Sequence, residues 1–253
     1  VRVGLGSRPF QVQVKTPKTG FELYPDELRS LPGQLAEKYR TLTNVPLTLD
    51  LRRNRTVGII GDRERVRSVL EEMILNVISL HACDEVKLVF VLPPWEEKRW
   101  EGYKNVPHLW SSDRTIRYFA VSREEAHFMF SAIDEDLKER RAEDDQPARQ
   151  LPHYVLILLE PALVEKEALL RYLQDADEPI GLTAVFAYGS VTKLPKSCRA
   201  IVECDEIRTG YYIRNENANR FVPFAPDQVD SEKSRAFALA LSKVPMRQDV
   251  RSL

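Results

Sequence analysis

The chain has 253 residues, 30 % of them charged, with 37 Lys and Arg against 38 Asp and Glu. That balance excludes the overall basic field usual in nucleic-acid binders, although net charge says nothing of clustering and a local basic groove is compatible with it. Three scattered cysteines exclude a disulfide framework, and the four histidines stand too far apart for a zinc site.

No apolar run reaches membrane-span length and no signal peptide is visible. The opening at Val1, in mid-pattern and without an initiating methionine, reads as a piece of a longer protein. Val1–Leu5 and Phe10–Val14 alternate like a strand pair joined at Gly6-Ser7-Arg8-Pro9. Pro25–Thr41 has a helical pattern with Leu28, Leu31, Leu35 and Tyr39 on one face, interrupted at Pro32-Gly33. Asn44-Val45-Pro46 reads as a turn, Leu47–Leu51 as a strand and Arg52–Arg55 as a loop.

From there strands and helices alternate. Val57–Ile60 is a short apolar strand, Gly61 ends it, and Asp62 is suited to cap the helix Arg63–Leu80. The stripe of that helix is Val66, Val69, Leu70, Met73, Ile74, Val77 and Leu80. Val86–Leu92 has the continuous apolar character of a central parallel strand. The Pro/Trp-rich connection Pro93–Trp110 leads to a strand at Ile116–Val121. The helix Ser122–Arg141 follows, with a Ser122/Glu125 capping box and apolar Phe128, Phe130, Ile133 and Leu137. After a charged loop, Ala142–Gln150, come the strand Tyr154–Leu159, the helix Val164–Leu173, and strands at Leu182–Phe186, Ala200–Val202 and Gly210–Arg214. A last helix covers Ser231–Leu241. This alternation predicts an open, mostly parallel α/β sheet.

Strand, glycine and capped helix in that order form the frame of a phosphate loop, G-x-x-x-x-G-K-[ST]. On that frame Gly61 holds the first glycine and Ser68 the hydroxyl. Val66 stands at the second glycine, where a β-branched side chain resists the backbone conformation that close approach to phosphate needs. Arg67 replaces the lysine, and its planar fork is no substitute for a slim ammonium. Asp62 and Glu64 bring carboxylates into the field that would otherwise attract an anion, offset in part by Arg63 and Arg65.

A nucleotide hydrolase also needs acids at the tip of a neighbouring strand. In Val155–Glu160, Leu159 fills the first acidic place and only Glu160 remains, followed by Pro161. Both halves of the site are altered, in independent places, so the expectation is a non-catalytic or weakly active domain that serves structural coupling, assembly or regulation. An unrelated reading sets Asp62 with Glu85-Val86-Lys87 as the D…E-x-K group of a metal-dependent nuclease.

Several further features occur in a shared order: Asn44-Val45-Pro46-Leu47, Val57-Gly58-Ile59-Ile60-Gly61, and Leu80-His81 before Asp84–Leu88. They continue through Trp100…Pro107-His108-Leu109-Trp110 to Leu194-Pro195-Lys196-Ser197-Cys198. With them the chain resembles the membrane-anchored FtsK/SpoIIIE-type ATPases of bacterial type VII secretion, the EssC/YukB/EccC group. The matching part of that family lies between the transmembrane helices and the first well-formed ATPase module.

The resemblance implies a P-loop NTPase-like (RecA/FtsK-like) fold with helices on both faces of the sheet. It implies a short N-terminal β/α segment over residues 1–46, an ATPase-like domain over 47–245, and the start of a linker at 246–253. Gly61, Val66, Arg67, Ser68 and Glu160 fall at its nucleotide positions. No resident cofactor or metal is expected, and Mg-ATP would be the ligand if the site were completed by an arginine from a neighbouring subunit. The implied partners are other domains and subunits of the motor and membrane components of the secretion complex, at the cytoplasmic side of the cell membrane, with no nucleic acid. Pro93–Trp110 and Arg52–Arg55 are candidate contact surfaces.

Overall fold

The computed structural model describes residues 1–12, 15, 27–142, 151–174 and 180–244. Among the described residues the strands are β1 (Arg2–Pro9), β2 (Thr41–Thr48), β3 (Thr56–Gly61), β4 (Val86–Val91), β5 (Phe119–Ala120), β6 (His153–Leu158), β7 (Leu182–Ala187), β8 (Ala200–Cys204), β9 (Thr209–Ile213) and β10 (Val222–Ala225). The helices are α1 (Leu31–Lys38), α2 (Leu51–Asn54), α3 (Arg63–Leu80), α4 (Glu97–Trp100), α5 (Arg123–Ala142) and α6 (Ser231–Ser242). All ten strands join one sheet in the order β2-β1-β10-β9-β8-β3-β7-β6-β4-β5. The six from β8 to β5 run parallel, and β9, β10, β1 and β2 extend them antiparallel.

The parallel strands are apolar throughout because both of their faces are covered. Successive side chains alternate between two cores. Val57, Ile59, Leu88, Phe90, Val155 and Ile157 pack on the side of α3, with Trp100 and Tyr103. Val89, Val91, Leu156, Leu158 and Ala184 pack on the other side, with Ala126, Met129, Phe130, Ile133 and Leu137 of α5. The expected stripes hold except at their edges: Leu80 and Phe128 are exposed, and Ile78 takes the buried place at the end of α3.

The N-terminal segment differs from its sequence reading. β1 runs straight through Gly6-Ser7-Arg8-Pro9 and pairs with β2 and β10, not with Phe10–Val14. Gly6 permits this, since a Cβ there would lie 2.5 Å from Leu47 Cδ1 and 2.8 Å from the Pro223 carbonyl oxygen. Residues 13–14 of the expected second strand lie outside the described residues. Asn44, expected in a turn, sits inside β2 at φ 56°, within the register irregularity between the Gly6–Val45 and Arg8–Leu42 pairs.

Further differences have local causes. Pro32 falls in the first turn of α1, where its missing N–H costs nothing, so it starts the helix instead of kinking it. Leu28, Leu31, Leu35 and Tyr39 are exposed. The loop expected at Arg52–Arg55 is largely the single turn α2, whose Arg53 amide is capped by Asp50 Oδ1 at 3.0 Å. The strand expected at Ile116–Val121 shrinks to β5, and the helix expected at Val164–Leu173 is replaced by 3-10 turns at Pro161–Leu163 and Ala168–Leu173. β10 had no counterpart in the sequence reading. The loop residues 143–150 and the expected linker 246–253 lie outside the described residues.

One clasp ties the antiparallel extension to α3. Arg2 on β1 binds Asp227 at 2.6 and 2.7 Å and approaches Glu72 at 3.8 Å, while its backbone amide donates to Asn76 Oδ1 at 3.2 Å. Burial of Glu72, then its hydrogen bond to Asp227 and the charge of that neighbour, push its pKa from 4.5 up to about 8. Between those values the folded chain holds a proton that the unfolded chain releases, so this group withdraws stability as pH rises from 4.5 to 8. Glu72→Gln keeps a donor toward Asp227 and removes that loss. Thermal unfolding should therefore show little change at pH 4.5 and a rise of roughly 3–6 °C at pH 9, about 1–2 kcal/mol after solvent screening.

Candidate functional site

The upper edge of the parallel strands is built around the end of β3. Gly61 has φ +123°, and a Cβ there would sit 2.6 Å from the carbonyl carbon and oxygen of Cys204. Only glycine closes this turn without strain. The Asp62 amide donates to Cys204 O at 3.1 Å, and its Oδ1 accepts from the amides of Glu64 and Arg65 at 3.1 and 3.2 Å. Val66 N donates to Asp62 O at 2.8 Å, the first bond of the helical ladder. α3 therefore begins two residues past Gly61. Asp62–Arg65, the stretch that a phosphate loop would leave open, is cap and first turn.

This winding fixes the side chains that follow. Val66, 7 % exposed, faces the core one turn inside the helix. Arg67 forms ion pairs with Glu64 and with Glu96, which lies in the connection after β4. Arg63 reaches the same Glu96 oxygen at 2.9 Å, and Arg99 binds Glu64 at 3.3 Å. Glu96 is 3 % exposed. Burial alone would raise its pKa, but the hydrogen bonds and charges of Arg67 and Arg63 outweigh that and hold it below 4.5. Both guanidinium groups converge on the one oxygen Glu96 Oε1, which ties Arg67 to the protein and holds it back from a ligand anion, while Arg67 Nε and Glu96 Oε2 stay buried without a hydrogen-bond partner.

Beside this network a cleft of about 290 Å³ opens at the carboxyl ends of β3, β6 and β7, the edge where open α/β sheets carry ligands. Gly61, Val66, Arg67 and Glu160 line it; Ser68, half-buried on α3, does not. Glu160 Oε1 accepts from Ala162 N at 3.2 Å, which caps the turn Pro161–Leu163, and the neighbouring wall is the apolar Leu159. The rim holds Trp95, 66 % exposed, and the exposed Lys193. The sequence reading held Trp95 and Glu96 only within the candidate contact surface Pro93–Trp110 and did not single out Lys193, because no periodicity reports where these connections lie.

The nuclease group is split by the topology. Asp62 follows the carboxyl end of β3, whereas Glu85 precedes β4, at the opposite edge of a parallel sheet, about 17 Å away by strand length. Lys87 lies inside β4 and is 2 % exposed. Those residues share no site. The Pro93–Trp110 connection is chiefly core: Trp100 meets Phe90 edge to face at 5.8 Å, Tyr103 donates to Glu71 at 3.0 Å, and His108 Nε2 lies 2.9 Å from His81 O. Among the described residues no group of three or more His, Cys, Asp or Glu side chains is placed to hold a metal ion.

Glu96→Gln leaves Arg67 without its buried counter-charge and should destabilise the chain by about 2–4 kcal/mol at pH 7 in urea unfolding. Glu96 is depressed in the folded state, so this contribution is present above pH 4.5 and lost as pH falls through its folded value. The variant and the parent chain should converge in acid.

No protein-family model matches the chain. The ESX secretion system protein EccC of Geobacillus thermodenitrificans is 24 % identical over 217 residues, 85 % of this chain and 15 % of that protein. YukB of Bacillus subtilis is 23 % identical over 246 residues, 95 % of this chain and 16 % of that protein. The type VII secretion system protein EssC of Staphylococcus aureus is 21 % identical over 225 residues, covering 87 % and 15 %. The chain thus spans about one-seventh of the length of these relatives. Among solved structures, EssC (ATPases 2 and 3) from Geobacillus thermodenitrificans gives a TM-score of 0.56 at 11 % identity, over 96 % of this chain and 48 % of that one. The cytoplasmic domain of EssC gives 0.55 at 12 % identity, over 83 % and 50 %. The chain is thus similar to the EccC, YukB and EssC proteins of type VII secretion, and its mostly parallel α/β sheet shares the fold of the solved EssC ATPase domains.

Proposed function

We propose that this chain is a non-catalytic ATPase-like domain of a type VII secretion motor, serving coupling, assembly or regulation of protein export. The observation that carries this reading is the winding of Asp62–Arg65 into the start of α3. Amides that would cradle phosphate are spent on Asp62 and on the helix. Arg67 is engaged with Glu64 and Glu96, and Glu160 caps a turn with no second acid beside it. These residues do not fit Mg-ATP, so the role left to the domain is mechanical. Its partners are then other domains and subunits of the motor and membrane components of the secretion complex. It works at the cytoplasmic face of the membrane, held there by helices outside this chain.

A second reading, a regulatory domain that binds nucleotide without turnover, draws on the cleft itself and on the cations Arg63 and Lys193 at its edge. Melting curves with Mg-ATP separate the two. A ligand present at about 100 times its Kd would add about 2.7 kcal/mol of stability. The non-catalytic reading expects no shift and no phosphate release. A rise of several degrees, lost in Arg63→Ala with Lys193→Ala, would establish the second.

A further inference from the structure

The lower edge of the sheet, opposite the cleft, collects positive charge from three chain segments. Arg52 and Arg53 stand on α2, just before β3. Lys196 and Arg199 precede β8, and Arg214 and Arg220 bound the loop after β9. Backbone bonds hold the segments together: Arg199 N donates to Thr56 O at 2.9 Å, and Arg214 N donates to Arg199 O at 2.8 Å. Arg199 and Arg214 thus lie directly across the β8–β9 pair, where like charges oppose folding.

Acidic compensation is incomplete: Glu85 lines the hollow beside Arg52, but its Oε2 accepts from the Ala82 amide at 3.2 Å. Glu216 takes both Arg53, at 3.0 Å, and Arg199, at 2.6 Å. The Asp50 carboxylate is spent on capping α2. Arg214 donates to the Lys196 carbonyl at 3.2 Å, not to a carboxylate. Among the described residues, Arg52, Lys196, Arg214 and Arg220 have no carboxylate within ion-pair distance. Burial, and then the field of Arg52, Arg140 and Arg55, push the pKa of nearby His153 down to about 4, so the imidazole stays neutral.

We propose that this edge is a docking surface for an acidic protein segment, a run of Asp and Glu presented by a partner or a neighbouring domain. The choice of ligand class follows from what surrounds the cations. Five of the six are arginines, whose planar fork pairs two-to-two with carboxylates. Among the described residues no large apolar side chain is exposed within 50–55, 195–200 or 213–220, and Leu151, exposed in the hollow beside Arg52, is a lone anchor where a membrane-binding face presents several. The exposed aromatics on which unpaired bases would stack are missing from it as well. The inference is independent of the cleft and of whether nucleotide binds there.

The test is fluorescence anisotropy of a labelled ten-residue glutamate-rich peptide against its glutamine counterpart, with the 253-residue chain. Binding should favour the glutamate peptide and fade with added salt. It should fall at least about tenfold in the triple variant Arg52→Glu, Lys196→Glu, Arg220→Glu, since each reversal removes roughly 0.5 kcal/mol or more. These three side chains hold no ion pair among the described residues, and an unchanged melting curve checks the fold. Equal binding of the two peptides, or undiminished binding by the triple variant, overturns the proposal. So does binding to phosphatidylserine-containing vesicles without binding to the peptide, which would assign the edge to lipid. Loss of peptide binding on Arg63→Glu with Lys193→Glu instead would move the contact to the cleft and equally defeat it.

Discussion

The carboxylate of Asp62 sets the upper edge of this fold. By accepting the amides of Glu64 and Arg65 it starts α3 immediately after the tight turn at Gly61. An earlier start fixes the rotation of the helix, so that Val66, Val69, Leu70, Met73, Ile74 and Val77 meet the sheet together. It also places Arg67 one turn up, where Glu96 can reach it. A single side-chain cap, usually worth about 1 kcal/mol, decides here between a loop open to solvent and a closed helical end.

Cap and ion pair reinforce each other. A phosphate loop needs bare amides and a free cation at one spot. In this chain the amides are satisfied locally and the cation is engaged by Glu64 and, from a distant connection, by Glu96. Restoring one would leave the other engaged. Replacing Val66 alone with glycine would therefore not open the loop, because Asp62 would still cap the helix.

The sequence reported this centre well where the signal was local. Both ends of α3 were legible, since the Asp62 cap and the apolar stripe are written in consecutive residues. The central strands were legible because burial on both faces demands apolar runs, as in Val86–Val91 and His153–Leu158. What depended on distant partners was not. Alternation in residues 1–5 announced a strand but neither its run through Pro9 nor its true neighbours, and β10, four residues long with Pro223 inside it, carried too little pattern to announce itself. At the candidate site, Gly61, Val66, Arg67 and Glu160 were visible as positions on a frame. Glu96, which decides what Arg67 does, comes from 29 residues away and had no local mark.

The seating of β1 between β2 and β10 bears on how the chain is made. The β1–β2 ribbon can form as soon as residue 48 emerges from the ribosome, because its contacts are near in sequence. Its other edge cannot be covered until Val222–Ala225 has been synthesised, nearly the whole chain later. Until then the ribbon carries an unpaired edge and the apolar side chains Val3 and Leu47, both fully buried in the finished fold. Such long-range pairing slows folding and leaves a sticky edge during synthesis. The last strand of the sheet thus acts as the closing seam of the domain.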